Sequence, residues 1–362
     1  MRVMKKNNII CSILSIFIFL SACSARDEYS SDPYDNFKAL WKIIDEYYCF
    51  FEYKNINWNN VYDKYSVQVN DSMNRFELFA LLGKMLAELE DGHTNLISTF
   101  NVSRFWSWHE NYPDNFNAVV QRQYLGSDYN ISGGLKYRIL DDSIGYVYYG
   151  SFSSAIGEAH LDEMFLHFRN CKSFIFDVRS NTGGSLTYSE RIASRFITEK
   201  LTVGYIMHKT GPGHNDFSEP YPIILAPSTR VKWLRPVAVL TNRSCYSATN
   251  DFICKMKQFP QVTVIGDKTG GGCGLPFHAE LPNGWSVRFS SSPILNDQKQ
   301  ITESGIDPDI KIDIAESDQL KNIDTIIEEA RTFLKSKTAG TIPAVSSGSI
   351  LISSNEIIQT VF

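Results

Sequence analysis

The strongest constraint on the fold is an alternation of apolar strand patterns and helical patterns that begins at Leu135. Strands are predicted at 137–140, 145–149, 173–178, 202–208, 237–240 and 262–265, and helices around 161–168, 188–197 and 247–258. Continuous apolar runs between amphipathic helices are typical of strands buried on both faces. We therefore predict an α/β fold with a largely buried sheet over 135–338. Asn283-Gly284 predicts a hairpin, and Ser317 or Asp318 is predicted to cap a last helix that runs to about Lys335.

Two apolar stripes at helical spacing precede this region. They are Phe37, Leu40, Trp41, Ile44 and Tyr48, and then Phe76, Phe79, Leu82, Leu86 and Leu89. Such stripes predict helices that pack on a core, so we expect a small helical N-terminal domain over 34–93. Residues 94–134 have no clear period and are predicted to form a connecting loop region.

The first 23 residues have the pattern of an export signal. A basic start is followed by the apolar run 9–20 and by Leu20-Ser21-Ala22-Cys23, which resembles a bacterial lipobox. An ordinary secretory signal or a short membrane helix is the alternative, although the run is short for a bilayer. We expect lipidation at Cys23, a tether over 24–33 and a location in the bacterial cell envelope, on the periplasmic face or the outer membrane surface. No role is assigned to the tail, 339–362.

Composition excludes several classes of function. A hydrophobic content of 43% is that of a globular protein, and the net charge of −5 becomes about −8 without the leader. No basic cluster indicates nucleic-acid binding. The five cysteines after Cys23 match neither a zinc site nor a compact disulfide framework, and no other grouping has metal-ligand spacing. We expect no metal, no cofactor and no nucleic-acid partner.

Three separate segments carry groups that suit acyl transfer. The strand that ends at Val178 runs into Gly183-Gly184, where free backbone N–H groups could bind an oxyanion. Ser247 follows a strand and opens a helix, and His93 follows an amphipathic helix. Each also has a plain structural interpretation: a tight turn, a helix N-cap, and a partner for the helix dipole.

Taken in order, these segments resemble the tail-specific, or C-terminal-processing, serine peptidases of family S41, and especially their tricorn-like branch. The matching stretches are Leu86 to Thr94, Asp177 to Gly184, Ser247 to Phe252, Val264 to Gly272, Leu281 to Gly284 and Glu303 to Asp309. The resemblance implies a layered peptidase core of the crotonase/ClpP type. Many such peptidases insert a PDZ domain after the histidine segment, but 94–134 is about half the length that a PDZ domain needs.

The resemblance also implies roles for individual residues. Ser247 would be the nucleophile, His93 the general base, and the N–H of Ala248 with that of Gly183 or Gly184 the oxyanion donors. The lysine of better-known members is replaced by Gly272, and Lys268 is expected to point elsewhere. Glu303 is the candidate that orients His93 through a relay serine, although Gly92 stands in the relay position; an exposed loop carboxylate is the alternative.

Further side chains near these motifs have structural interpretations. Asp177 and Arg179 are expected to hold the glycine turn by ion pairing, and His214 is expected to be exposed on a flexible loop.

The function predicted from these residues is a lipid-anchored serine endopeptidase acting on proteins or peptides, of unknown oligomeric state. A binding protein for a small apolar ligand or peptide on the same scaffold is the alternative. A crotonase-type acyl-CoA enzyme is a third possibility, but its chemistry needs no serine nucleophile.

Overall fold

The computed structural model describes residues 29–339. The predictions for the leader, for Cys23 and for the tail after Ala339 therefore lie outside the described residues. The helices are α1 (Pro33–Tyr47), α2 (Trp58–Ser66), α3 (Arg75–Ala87), α4 (Ala118–Leu125), α5 (Glu158–His167), α6 (Leu186–Ala193), α7 (Ala248–Met256), α8 (Glu316–Gln319) and α9 (Thr325–Ala339). None of the helices within 29–339 is long and apolar enough to cross a membrane.

Twelve strands complete the fold of the described residues. They are β1 (Asn95–Ile97), β2 (Asn130–Ser132), β3 (Leu135–Ile139), β4 (Gly145–Tyr148), β5 (Phe174–Asp177), β6 (Leu201–Ile206), β7 (Tyr221–Leu225), β8 (Val237–Thr241), β9 (Val262–Gly266), β10 (Gly274–Glu280), β11 (Ser286–Leu295) and β12 (Ile310–Lys311). The α/β class predicted from the sequence is confirmed.

The main sheet has seven strands in the order β12-β9-β8-β5-β4-β3-β2. The strands from β12 to β4 are parallel, and β3 and β2 are antiparallel additions. One face packs on α5, α6 and α7, and the other on α4 and α9. Helices on both faces explain why β5 and β8 are buried along their whole length and apolar except for their last residues, Asp177 and Thr241.

This sheet determines where the glycine turn and Ser247 lie. The strands β5 and β8 are adjacent and parallel, with Asp177 opposite Leu240. Their carboxyl ends therefore meet at one sheet edge, where ligands and catalytic groups gather in open α/β sheets. The turn 178–184 and the segment 242–247 both leave from that edge.

A second sheet brings in the N-terminal helices. It has the order β1-β11-β6-β7, with β10 paired to the other side of β11. The hairpin between β10 and β11 turns at Gly284, where φ is +79°, as the sequence predicts. The helices α1, α2 and α3 share one apolar core with β10 and β11, so the predicted helical unit packs directly on the second half of the chain.

Two sequence predictions differ from the structure. The region 94–134 contains β1, α4 and β2, and the main sheet begins at β2 rather than at 135 because β2 pairs with β3. The predicted last helix is two helices, α8 and α9, because Asp324 interrupts it. The Asp324 carboxylate accepts from the N–H groups of Ile326 and Ile327 and so caps the start of α9, whereas Asp318 lies within α8.

Candidate active site

Ser247 and His93 meet although 154 residues separate them. His93 Nε2 lies 2.9 Å from Ser247 Oγ. Ser247 has φ 59° and ψ −121°, a conformation that non-glycine residues rarely adopt, and its side chain does not cap α7. Its N–H donates to the carbonyl of Gly271 (2.8 Å), which helps to hold this conformation. The plain N-cap interpretation is wrong because the hydroxyl makes no capping bond. Backbone strain of this kind is commonly stored at functional sites.

The histidine is positioned by a short turn after α3. That helix begins with a capping box, in which Asn74 and Glu77 exchange hydrogen bonds. After it, Asp91 Oδ1 accepts from the backbone N–H of His93 (2.7 Å). The His93 ring packs on Tyr246, with 4.9 Å between centroids, and Tyr246 stacks on Trp108 at 4.1 Å. His93 is therefore held at its backbone and at its ring face.

The environment of the His93 imidazole favours its neutral form at pH 7. Burial lowers the pKa of His93 to about 4; the charges of Arg288 and Lys54 also lower it, while Asp91 raises it. Nδ1 makes no hydrogen bond of normal geometry within residues 29–339, although the backbone of Gly274 is near enough to raise the pKa. At neutral pH Nε2 can therefore accept a proton from Ser247.

Two backbone donors are free beside the serine. Within the described residues, the N–H groups of Ala248 and Gly184 have no hydrogen-bond partner. The prediction for Gly183 as a donor is wrong, because its N–H donates to Asn181 Oδ1 (3.0 Å). Gly183 is needed for close approach instead: with φ +102°, a Cβ there would lie 2.8 Å from Ser247 Cβ and 2.9 Å from Ala248 N. A side chain at Gly183 would fill the space that an oxyanion requires.

Glu303 is buried but does not contact His93. Its Oε2 accepts from the N–H of Cys273 (2.9 Å), and Oε1 lies 3.3 Å from Lys54 Nζ. The relay position also has no room for a serine side chain, because a Cβ at Gly92 would lie 2.6 Å from Trp108 Nε1 and 3.0 Å from the Tyr246 hydroxyl. The structure therefore contradicts both the predicted route from Glu303 to His93 and the alternative of an exposed carboxylate.

Behind the histidine lies a buried group of charges that the sequence did not reveal. Burial and the nearby Asp91 raise the pKa of Glu303 to about 7. Burial opposes ionisation of Asp91 too, but Lys54 and His93 hold its pKa below the usual value. Lys54 Nζ also donates to the carbonyls of Leu89 (3.2 Å) and Glu90 (3.0 Å). This lysine thus ties the histidine turn to Glu303.

The turn that carries the glycines is braced by a buried ion pair, as predicted. Arg179 Nη2 lies 2.7 Å from Asp177 Oδ2 and 2.9 Å from Asp324 Oδ2, and all three side chains are fully buried. Truncating one partner of such a pair is costly because it leaves the other charges buried and uncompensated.

Two peripheral predictions have different outcomes. Lys268 points away from the site, as expected, and lies 3.7 Å from Asp307. The prediction that His214 is exposed is wrong, because its Nε2 contacts Asp45 Oδ1 (2.8 Å) and its ring packs on Phe51.

An open pocket of about 680 Å³ borders Ser247 and His93. Its apolar lining includes Leu186, Val203, Ile223, Cys254, Leu275, Pro276, Ile294 and Leu295, and its charged lining is Asp251, Lys255 and Arg288. The described residues contain no group of His, Cys, Asp or Glu that could hold a metal ion, and their five cysteines are unpaired.

This fold and this site define a class. Residues 143–312 match Peptidase family S41, and residues 31–87 match the Tricorn protease C1 domain. The chain belongs to peptidase family S41, a family of serine-type peptidases. A solved structure of a putative peptidase from Parabacteroides merdae is 59% identical to it, with a TM-score of 0.83, and the match covers 87% of this chain and 100% of that one.

More distant proteins are similar to this chain in sequence or in fold. The carboxy-terminal processing protease CtpA of Bacillus subtilis is 23% identical over 186 residues, or 51% of this chain and 38% of that protein. The chain spans less than two fifths of the length of each of the curated relatives that it matches. The structure of mature CPAF complexed with lactacystin shares the fold, with a TM-score of 0.62 at 10% identity, over 84% of this chain and 98% of that one.

Proposed function

We propose that the protein is a serine endopeptidase that cleaves proteins or peptides through an acyl-enzyme on Ser247. The contact of 2.9 Å between His93 Nε2 and the strained Ser247 carries this proposal. Oγ attacks the scissile carbonyl carbon while His93 takes the hydroxyl proton. The N–H groups of Ala248 and Gly184 stabilise the oxyanion, and His93 gives its proton to the leaving amine. Water then hydrolyses the ester, with His93 again acting as base.

The open edge of β10 supports an extended polypeptide as the substrate. Among the described strands, β10 pairs only with β11, so its other edge is free for strand addition. Gly274, Leu275 and Pro276 at the start of β10 also line the pocket that borders Ser247. An extended peptide on this edge would lead to the nucleophile.

The test is covalent labelling by a fluorophosphonate probe together with hydrolysis of casein. Ser247→Ala should abolish both, and Ser244→Ala, a serine three residues earlier, is the matched control that should retain both. His93→Ala should lower the rate at least ~10³-fold, as in other serine–histidine enzymes. Labelling that survives in Ser247→Ala would remove the proposed nucleophile.

A binding protein for a small apolar ligand is the second candidate, and the apolar lining of the pocket favours it. Such a protein would have no use for a strained serine in contact with a neutral histidine. Wild-type protein that binds a fluorescent fatty acid yet resists the fluorophosphonate probe would support this candidate instead.

We also propose that Cys23 is lipidated and that the enzyme works in the bacterial cell envelope, held by its lipid. The support is the sequence: a basic start, an apolar run and Leu20-Ser21-Ala22-Cys23. Several acyl chains on one cysteine would anchor the protein firmly. Cells fed a palmitate analogue should label the wild type but not Cys23→Ala. Unlabelled wild-type protein in the soluble fraction would contradict the anchor.

A further inference from the structure

Arg288 lies in the wall of the pocket that borders Ser247 and forms no salt bridge with any residue of the range 29–339. It lies on β11, is half-buried, and its Nη1 donates to the carbonyl of His93 (3.2 Å) and to Asn95 Oδ1 (3.4 Å). Asn95 is itself held by a bond from its Nδ2 to the carbonyl of Ser103 (3.1 Å). Nε and Nη2 of Arg288 have no hydrogen-bond partner among residues 29–339, and no carboxylate there lies within 4 Å of the guanidinium; Asp91 acts on it only over a longer distance.

The other charged groups of the pocket do not balance this arginine. Lys255 Nζ contacts Asp251 Oδ2 one helical turn away on α7, so these two charges cancel. Ser189 Oγ also donates to Asp251 (2.6 Å), which completes a closed cluster. His93 is neutral at pH 7 because its pKa is about 4. Among the residues that line the pocket, Arg288 is therefore the charged group that has no opposite charge in contact with it, although the buried Asp91, which does not line the pocket, attracts it from a greater distance.

The surroundings of this charge increase its influence. Leu275 and Pro276 lie in the same pocket wall, and burial lowers the pKa of Arg288, which shows that the guanidinium has lost part of its hydration. A partly dehydrated guanidinium gains more from a carboxylate than a fully hydrated one, and its planar fork suits two carboxylate oxygens. A neutral peptide group would satisfy the hydrogen bonds but leave the guanidinium without a carboxylate in contact.

We propose that Arg288 binds a carboxylate of the substrate close to the scissile bond, so that the enzyme selects peptides with an anionic group at that position. This inference rests on the proposed peptidase function. The carboxylate comes either from the C-terminus of the peptide or from an Asp or Glu side chain, because both present the same group. Arg288 is thus a specificity-determining residue, distinct from the groups that carry out the acyl transfer.

A purely structural role is the rival explanation. Through its bond to the His93 carbonyl, Arg288 could serve only to hold the histidine turn. Loss of that support would slow cleavage of every substrate by the same factor. Loss of a carboxylate partner would slow cleavage of anionic substrates alone, so the ratio between matched substrates separates the two roles.

The experiment uses quenched fluorescent peptides in matched pairs. The peptides of one pair end in either a free carboxylate or an amide, placed one to four residues after the cleaved bond. In the other pairs, Glu is exchanged for Gln at each position on either side of the cleaved bond. For one of these pairs, the wild-type enzyme is expected to cleave the acidic peptide with a kcat/KM at least ~10-fold higher than that of the neutral peptide. This factor corresponds to the free energy of a hydrogen bond to a charged group. Which pair responds identifies the source of the carboxylate.

Variants then assign the effect to this residue. In Arg288→Gln the acid-to-neutral ratio should fall below about twofold, while Arg288→Lys should keep part of it. Lys268→Gln removes the same charge outside the pocket and should leave the ratio unchanged. Equal rates for acid and neutral peptides in the wild type, or an equal loss for both in Arg288→Gln, would overturn the inference.

The same peptides also serve as protectants against the fluorophosphonate probe, which keeps the two proposals separable. A wild type that neither labels at Ser247 nor cleaves any peptide contradicts the peptidase proposal itself. A wild type that labels, but is protected equally by acid and neutral peptides at every position, contradicts only the role of Arg288.

Discussion

The buried histidine predicts activity at unusually low pH. An exposed histidine has a pKa near 6.5, whereas burial places that of His93 at about 4. A general base must be neutral to act. The acid limb of kcat/KM, which reports ionisation of the free enzyme, should therefore lie near pH 4 rather than pH 6.5.

The size of the effect follows from the two pKa values. At pH 5, about 3% of a histidine with the ordinary pKa would be neutral, compared with about 90% of His93. The enzyme should therefore be roughly 30-fold more active at pH 5 than an ordinary histidine would allow. Arg288→Gln removes a charge that lowers this pKa, so its acid limb should move to higher pH.

The assay is the pH dependence of probe labelling at Ser247, combined with NMR titration of the His93 ring in Ser247→Ala. Glu303 is the group that could imitate the histidine, because its pKa is about 7. Glu303→Gln is therefore the control: a limb near pH 7 that vanishes in this variant belongs to Glu303. An acid limb near pH 6.5 that persists in Glu303→Gln would refute the reasoning about His93.

Three further predictions concern stability. Ser247→Gly should be about 1 kcal/mol more stable than Ser247→Ala in urea unfolding, because glycine alone accommodates φ 59° without strain; equal stabilities would argue against strain. Arg179→Gln should cost about 3–5 kcal/mol, since Asp177 and Asp324 would remain buried, and the exposed Arg169→Gln should cost under about 1 kcal/mol. Glu303 has a folded pKa of about 7 against 4.5 when unfolded, so its favourable contribution is present below pH 4.5 and lost as the pH rises through 7. Between pH 4.5 and 7, the free energy of unfolding of the wild type should accordingly fall by up to about 3 kcal/mol relative to that of Glu303→Gln in urea unfolding. A difference that does not change with pH would contradict the burial argument.

Local sequence patterns were sufficient to predict the parts of the site that lie at the end of a strand or at the start of a helix. Strand β5, the glycine turn and the serine before α7 follow from apolar runs, glycine and helix starts, and the sheet then places them at one edge. His93 could be named because it follows an amphipathic helix and matches a motif.

Side-chain partners across the chain could not be predicted in the same way. Lys54 and Glu303 are 249 positions apart, and nothing in either segment indicates their contact. The error for Gly183 has a similar origin, because its N–H is taken by Asn181 Oδ1 only in the folded turn. Arg288 is likewise an ordinary strand residue by its spacing and becomes notable only in the pocket.

The distribution of the reacting pair along the chain has a consequence for the cell that makes this protein. His93 comes with the α1–α3 helices, whereas Ser247 comes from the edge of the main sheet, and they meet only when the shared core with β10 and β11 has formed. Contacts over such sequence separations form slowly, because the entropy of closing a long loop must be overcome first. A newly made or partly unfolded chain therefore lacks the assembled pair and should be inactive until this core has formed.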